Sequence, residues 1–288
     1  MATFGALDEQ AWRRAAQWLE HHLPTTPRLQ ERIHCLTLPI TAWLLHHLNA
    51  APRRPLMVGL NAPQGAGKTT LTRSLVGLLE HLGHRAVSIS IDDFYLRRDE
   101  QLALAARHSG NRFLEHRGYP GTHDVALGAR VLEALQAGAD VEVPRYDKSA
   151  FNGRGDRSDE VTVLRGRVDV VLLEGWMLGF QPRASVEDAD LRAPNDALRQ
   201  YAAWNERLDV MISLRMKDPR QVVRWRVEAE AATRAAGRPG LTEAEVEDYV
   251  RRFLPAYEAW SRSLDDGPWQ GDRLLTMTLD ADRLPVAP

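Results

Sequence analysis

The chain has 288 residues, of which 44% are hydrophobic and 26% are charged, and its formal net charge is −2. This length suits one large domain, or one domain with an appendage, of a soluble globular protein. The small net charge argues against a general nucleic-acid or membrane-surface partner. The single cysteine, Cys35, excludes a disulfide within the chain and fits a reducing compartment. Without a secretory signal pattern or an apolar stretch of membrane-spanning length, we expect a cytoplasmic protein.

The first 50 residues predict helices. Apolar residues recur at helical spacing over residues 12–23 and 40–48, and the sequence PTTPR separates the two stretches. Residues 49–55, NAAPRRP, form a short linker. We therefore predict a helical N-terminal extension over residues 1–50 and a second domain over residues 55–288.

After the linker, apolar segments that predict buried strands alternate with segments of helical spacing. The predicted strands are LMVGLNA (56–62), RAVSISID (85–92), RVDVVLLEG (167–175), RLDVMISLR (207–215) and RLLTMTLD (273–280). Helices are predicted over residues 68–83 and 126–137. The alternation indicates an α/β fold with a mostly parallel five-stranded sheet covered on both faces. Two segments, about 96–124 and 144–160, lack strong periodicity, and long irregular segments are usually functional or disordered.

The first predicted strand leads into GKTT at residues 67–70, the end of a near match to the phosphate-binding pattern G-x-x-x-x-G-K-[ST]. Ala62 stands at the first glycine of that pattern, where alanine is tolerated if its φ is negative. Gly65 and Gly67 permit the positive φ angles of a loop whose N–H groups surround an anion. Lys68 would reach the β- and γ-phosphates, and the Thr69 hydroxyl would bind Mg²⁺. The predicted nucleotide site comprises Ala62, Pro63, Gln64, Gly65, Ala66, Gly67, Lys68, Thr69 and Thr70.

Carboxylates stand at the C-terminal ends of two predicted strands, where open parallel sheets bind ligands. Asp92 and Asp93 follow the second strand, and Glu174 lies near the end of the third. A carboxylate beside a γ-phosphate can bind Mg²⁺ or take the proton of an attacking hydroxyl. We expect Thr69, Asp92 and Glu174 to form the metal site.

Two absences narrow the class of nucleotide-binding protein. A GTPase needs a guanine-reading N-K-x-D sequence after a late strand, and the chain contains none. Motor and assembly ATPases usually carry an Asp-Glu pair after the corresponding strand, whereas glycine follows Glu174. A small-molecule kinase is therefore favoured.

Several longer motifs resemble known kinases. SIDDFYL resembles the D-x-F-Y signature of the uridine kinase and phosphoribulokinase branch of P-loop kinases. Five further motifs resemble plant-type D-glycerate 3-kinases and occur in the same order as in that family. They are RGYPGTHD (117–124), VPRYDKSAFNGRGDR (143–157), LLEGWMLGF (172–180), VVRWRVEAE (222–230) and FLPAYEAW (253–260). The resemblance extends from about residue 55 to the C-terminus. It implies a three-layer α/β/α P-loop kinase that uses ATP and Mg²⁺ to convert D-glycerate, a small anionic substrate, to 3-phospho-D-glycerate.

The resemblance also implies roles for single residues. The first aspartate of D-x-F-Y is the catalytic base in that branch, which makes Asp92 the base beside Lys68, with Asp93 the alternative. A lid arginine closes on the phosphates in related kinases, and Arg224 or Arg226 corresponds to it. Tyr119 and Pro120 depart from the plant pattern just before G-T-H-D.

A charged loop, residues 145–157, independently suits an anionic acceptor, because a carboxylate is gripped by cations in a fork geometry. Its cations are Arg145, Lys148, Arg154 and Arg157, and Gly153 and Gly155 allow it to bend. His123 and Asp124 could orient an acceptor hydroxyl. To the same substrate site we assign three residues of the quoted motifs, Tyr95, Arg117 and Tyr146.

Two alternatives stay open. A related kinase could phosphorylate a nucleoside, pantothenate or a sugar phosphate, although a nucleoside calls for aromatic stacking residues where this loop offers arginines and glycines. The second alternative is a non-catalytic ATP-binding regulatory protein. Acceptor-dependent release of ADP distinguishes that protein from any kinase.

Overall fold

The computed structural model describes residues 7–23, 28–50, 55–235, 237 and 242–286. Part of the predicted helix break PTTPR and part of the predicted linker, residues 24–27 and 51–54, lie outside this set. The strands of the described chain are β1 (Leu56–Asn61), β2 (Ala86–Ser90), β3 (Val141–Asp147), β4 (Asp156–Leu164), β5 (Val170–Gly175), β6 (Val210–Met216) and β7 (Leu274–Leu279).

Five of these strands form the central sheet. Its order is β2-β5-β1-β6-β7, and every neighbouring pair is parallel. Each strand coincides, within a few residues, with a predicted apolar segment. β1 and β5 are buried along their whole length, as expected for strands with helices on both faces. The prediction of an α/β fold with a parallel five-stranded sheet is confirmed.

Helices surround the sheet. They are α1 (Glu9–His22), α2 (Leu29–Arg32), α3 (Leu38–Ala50), α4 (Lys68–His81), α5 (Arg98–Arg107), α6 (Val125–Gln136), α7 (Ala150–Gly153), α8 (Arg192–Ala197), α9 (Ala202–Asn205), α10 (Gln221–Ala235), α11 (Glu243–Arg251) and α12 (Leu254–Trp260). A π-helical turn, Ile33–Thr37, joins α2 to α3. Helix α5 lies in a segment predicted to be irregular. Within the described chain, no helix combines the length and hydrophobicity of a membrane span.

Successive side chains of the strands point to opposite faces of the sheet and pack into two hydrophobic layers. Met57 and Leu173 belong to one layer, which contains the tryptophans of α9 and α12. Val58 and Leu172 belong to the other, which contains apolar residues of α3 and α4. Trp43 of α3 is buried in this second layer, and its Nε1 donates to the carbonyl of Asp272, 3.1 Å away. Helix α3 therefore packs directly against the sheet layer, and the division at residues 50–55 stays a prediction.

Residues 144–160 were expected to be irregular, and the structure corrects this. β3 and β4 pair in an antiparallel hairpin whose register shifts between Pro144 and Tyr146. Its connecting turn has positive φ at Phe151 and Asn152. Most of β4 is exposed or half-buried, so its sequence lacks the clean alternation by which strands are predicted. The backbone N–H of Tyr146 donates to Asp93, which attaches the hairpin to the turn after β2.

Candidate active site

The phosphate loop joins β1 to α4 and has the predicted backbone form. Gly65 and Gly67 have φ angles of 77° and 88°. Ala62 is fully buried, and it is not among the residues of the described chain with positive φ. Its N–H donates to the carbonyl of Gly175, 3.3 Å away. Alanine therefore fits the first position of the pattern without strain, and the loop retains its anion-binding shape.

Three side chains from the C-terminal third of the chain hold this loop. The N–H of Gln64 donates to the Tyr257 hydroxyl at 3.1 Å, and Arg283 Nε donates to the carbonyl of Gly65 at 2.8 Å. A Cβ atom on Gly65 would lie 2.8 Å from Cβ of Trp225 in α10. Glycine is therefore required at position 65 both by its φ and by the close approach of α10.

Lys68, Asp92 and Glu174 converge beside the loop. Burial lowers the pKa of Lys68, although Glu174 and Asp92 favour its charged form. Burial likewise raises the pKa of Glu174, against the influence of Lys68. Burial also opposes ionisation of Asp92, but the nearby charges, that of Lys148 first and that of Lys68 next, together hold the pKa of Asp92 below its usual value. The three groups form one electrostatically coupled cluster at the C-terminal edge of the sheet.

Asp93 has different partners from Asp92. It is buried, its Oδ2 lies 3.2 Å from Nη1 of Arg145, and its Oδ1 accepts from the N–H of Tyr146. Burial raises the pKa of Asp93, and the Arg145 guanidinium opposes that rise. Asp93 therefore anchors the hairpin, whereas Asp92 faces Lys68 and Lys148.

These groups line a cleft of about 1480 Å³ above the phosphate loop. The cleft brings together many of the predicted site residues. Its wall includes Gln64, Gly65, Gly67, Lys68, Thr69, Thr70, Asp92, Tyr95, Arg117, Arg145, Lys148, Arg154, Glu174 and Arg226. Ala62, Pro63 and Ala66 are buried within the loop itself. One cavity thus connects the nucleotide loop with most of the cations predicted for the acceptor.

Three predicted acceptor residues lie behind Tyr95 instead of in the cleft wall. His123 is buried, stacks on the Tyr95 ring at 4.4 Å between centroids, and has Nδ1 2.7 Å from the Tyr201 hydroxyl. Arg157 donates to the carbonyl of Tyr95 at 3.0 Å and pairs with Asp124 at 3.5 Å. Asp124 also caps α6. These contacts give the three residues a supporting position beneath Tyr95.

Two further predicted residues, Arg224 and Tyr146, are not among the residues that line the cleft. Arg224 is exposed and pairs with Glu228 and Asp282. Two residues two positions apart on a helix face nearly opposite directions, so Arg224 and Arg226 cannot both face the cleft. Tyr146 packs instead against the hairpin, where a Cβ on Gly155 would lie 2.6 Å from its ring. Of the two proposed lid arginines, the structure brings Arg226 to the cleft.

Other cleft residues were not identified from the sequence. Among them are Arg112, His116, Tyr249 and Arg252. Arg154 donates to Nε2 of His116 at 2.7 Å, and burial, followed by the Arg154 charge, lowers the pKa of His116. Arg252 stands one residue before FLPAYEAW, so the motif itself pointed to its neighbourhood. No spacing rule indicates that residues 112–116 and 249–252 meet across the fold.

The described residues contain no group of three or more His, Cys, Asp or Glu side chains arranged to bind a metal. Mg²⁺ in nucleotide sites does not require one, because one or two carboxylates combine with phosphate oxygens and water. The Thr69 hydroxyl and the Asp92 and Glu174 carboxylates supply oxygen donors of this kind. Oε2 of Glu174 is buried without a hydrogen-bond partner among the described residues. This donor set fits Mg²⁺.

Comparison with known proteins finds relatives that cover most of the chain. D-glycerate 3-kinase, chloroplastic, of Arabidopsis thaliana is 42% identical over 81% of this chain, which spans only about half (54%) of that relative. An uncharacterized kinase of Schizosaccharomyces pombe is 34% identical, with 81% of this chain and 91% of the relative covered. The structure of a D-glycerate 3-kinase from Cryptococcus neoformans superposes with a TM-score of 0.82 at 30% identity, covering 88% and 98% of the two chains. No family model matches the chain.

Proposed function

Because the chain belongs to the D-glycerate 3-kinase family of P-loop kinases, we propose that it transfers the γ-phosphoryl group of ATP to D-glycerate, giving ADP and 3-phospho-D-glycerate. The family accounts for the type of reaction, ATP-dependent phosphoryl transfer to an alcohol. The acceptor, Mg²⁺ and the residue roles are proposals. A single cysteine, Cys35, accords with a proposed cytoplasmic location.

One observation supports the proposal more than any other. The cluster of Lys68, Asp92 and Glu174 lies in the same cleft as Lys148 and Arg154 of the hairpin. A triphosphate on the loop would therefore have its γ-phosphate near both a carboxylate and cations able to bind a small anion. D-glycerate supplies the matching groups, a carboxylate and two hydroxyls.

The loop and Lys68 bind and orient the phosphates. Backbone N–H groups of the loop would donate to phosphate oxygens at the start of α4, and the Lys68 ammonium would neutralise charge on the transferring group. Mg²⁺, when bound by Thr69, Asp92 and Glu174, would neutralise charge on the phosphate oxygens. Arg226 of α10 faces the same side of the cleft, where it also influences Lys68. Catalysis by these groups rests on positioning and electrostatic stabilisation.

Asp92 takes the proton of the acceptor hydroxyl in this proposal. Its carboxylate is kept ionised by Lys148 and Lys68. A carboxylate with a low pKa is a weak base, which suits phosphoryl transfer because its loose transition state needs an oriented hydroxyl more than early deprotonation. Asp93, committed to Arg145 and Tyr146, would hold the hairpin in place.

The hairpin would bind the acceptor carboxylate. Arg117 is occupied by hairpin carbonyls, among them Gly153 at 2.9 Å, so it shapes the turn. Arg154 lines the cleft, where His116 is its hydrogen-bond partner among the described residues. Arg154 is therefore the hairpin arginine best placed to form a charge-assisted bond with a carboxylate.

A coupled assay of ADP release over D-glycerate, L-glycerate, uridine and pantothenate tests the proposal. D-glycerate should give the highest kcat/KM, and its product should be 3-phosphoglycerate by phosphorus NMR. The Lys68→Ala variant, prepared in parallel, reports contaminating kinases. A preference for uridine or pantothenate would show that this compound, and not D-glycerate, is the acceptor. ATP binding without any ADP release, whichever acceptor is present, would support the non-catalytic alternative.

A further inference from the structure

Arg252 directly follows α11 and lines the cleft. Its Nε is buried and has no hydrogen-bond partner within the described ranges. Among the residues that the structure describes, no carboxylate lies within ion-pair distance of Arg252. The adjacent Arg251, by contrast, is exposed and pairs with Glu247 at 3.7 Å. Arg252 as a whole is half-buried. A half-buried cation without a carboxylate partner favours an anionic ligand, and a ligand in the cleft would supply that partner.

The backbone at Arg252 is held from below. The buried Tyr119 hydroxyl donates to the carbonyl of Arg252. The Tyr119 ring stacks on Phe253 at 5.6 Å and on Phe113 at 4.5 Å. Tyr119 is one of the two residues that depart from the plant pattern. Such anchoring reduces the freedom that Arg252 would lose on binding a ligand.

Two arginines contact the ring of Tyr249. The Arg226 guanidinium lies 5.5 Å and the Arg252 guanidinium 5.6 Å from the centre of its ring. Arg226 influences Lys68, on the phosphate side of the cleft. Arg252 instead influences His116, the hydrogen-bond partner of Arg154. Arg252 therefore belongs to the acceptor side.

We propose that Arg252 binds the carboxylate of the acceptor together with Arg154. The inference rests on the proposed function in that it requires an anionic acceptor. It extends the substrate site from the β3–β4 hairpin to α11, a part of the chain nearly 100 residues further on. The acceptor would then connect two segments that both line the cleft.

The test compares Arg252→Gln and Arg252→Lys with the matched control Arg251→Gln. Loss of one charge-assisted bond should raise the KM for D-glycerate about 10–100-fold in Arg252→Gln. Arg252→Lys should recover part of this loss, since lysine restores the charge without the fork. The KM for ATP should change less than about twofold in every variant, and Arg251→Gln should match wild type. Equal melting temperatures exclude misfolding as the cause.

Neutral glyceramide supplies a second readout. Wild type should use it with a KM about 10–100-fold above that for D-glycerate. Arg252→Gln should add little further loss with glyceramide, because both changes remove the same interaction. An unchanged KM for D-glycerate in Arg252→Gln, or a rise confined to ATP, overturns the inference and leaves the proposed function standing.

The two proposals fail separately. If wild type prefers another carboxylate and Arg252→Gln raises the KM for that acceptor, the D-glycerate assignment fails and the role of Arg252 holds. If wild type prefers uridine, or turns over no acceptor, both are overturned.

Discussion

Nζ of Lys148 lies 2.5 Å from Oδ2 of Asp92, so the hairpin and the end of β2 are joined at the proposed base. Lys148 immediately follows β3, and Asp92 lies in the 3₁₀ turn Ile91–Phe94 after β2. Asp92 also faces Lys68, which begins α4. One carboxylate thus connects the nucleotide loop to the acceptor hairpin.

This ion pair predicts a pH effect. Lys148 holds the pKa of Asp92 below its usual value, so Lys148→Met should raise the pKa of Asp92. The acid limb of the kcat/KM profile for D-glycerate should therefore move to higher pH, because that profile reports the base of the free enzyme. Lys217→Met, at a lysine outside the cleft, is the control. An acid limb that does not move in Lys148→Met would show that this lysine does not tune the base.

The two adjacent aspartates should respond differently to amidation. Asp92→Asn keeps the shape but removes the base, and we expect kcat to fall about 10²–10⁴-fold with little change in ATP binding. Asp93→Asn weakens the pair with Arg145, so its main effect should be a lower melting temperature and a higher KM for the acceptor. Steady-state kinetics and thermal unfolding of both variants test this. A greater loss of kcat in Asp93→Asn than in Asp92→Asn would show that Asp93 is the base.

Substitution of Arg154 should change substrate binding, whereas substitution of Arg157, three positions later, should change the stability of the fold. Arg154→Ala should raise the KM for D-glycerate about 10–100-fold and leave that for ATP nearly constant. Arg157→Ala removes the donor to the Tyr95 carbonyl and the partner of Asp124, and should destabilise the fold by about 1–3 kcal/mol. Kinetics and urea unfolding distinguish the two. A large KM effect with unchanged stability in Arg157→Ala would place this arginine in the acceptor site.

His123 should make stability depend on pH. Burial lowers the pKa of His123 from 6.5 to about 4, so the unfolded chain binds its proton first as pH falls. The stability associated with neutral His123 is present above about pH 6.5 and is lost as pH falls toward about 4. The full effect is about 3 kcal/mol, since one pKa unit corresponds to about 1.4 kcal/mol.

Urea unfolding from pH 4.5 to 7.5 measures this contribution. His123→Gln, which cannot titrate, should show a weaker loss of stability at low pH than wild type, and exposed His21→Gln should follow wild type. Parallel curves for wild type and His123→Gln would indicate that His123 does not titrate with a lowered pKa.

Local patterns determined the sheet and the nucleotide loop. All five sheet strands lie in apolar segments, and β1 and β5 are buried along their whole length. The loop is one short segment between β1 and α4, so neighbouring residues alone specify these features. The π-helical turn and the β3–β4 hairpin were not predicted, because exposed strands and unusual helical turns leave a weak periodic signal.

Only the tertiary structure decided which charged residues face the cleft. Residue type makes Arg154 and Arg157 equivalent, yet the hairpin presents the first to the cleft and buries the second beneath Tyr95. The motif FLPAYEAW indicated the neighbourhood of Arg252 but not its direction, because the backbone of Arg252 is held by Tyr119, which is distant in the chain. A side chain's direction is set by packing between segments far apart in sequence, and one-dimensional patterns do not encode those contacts.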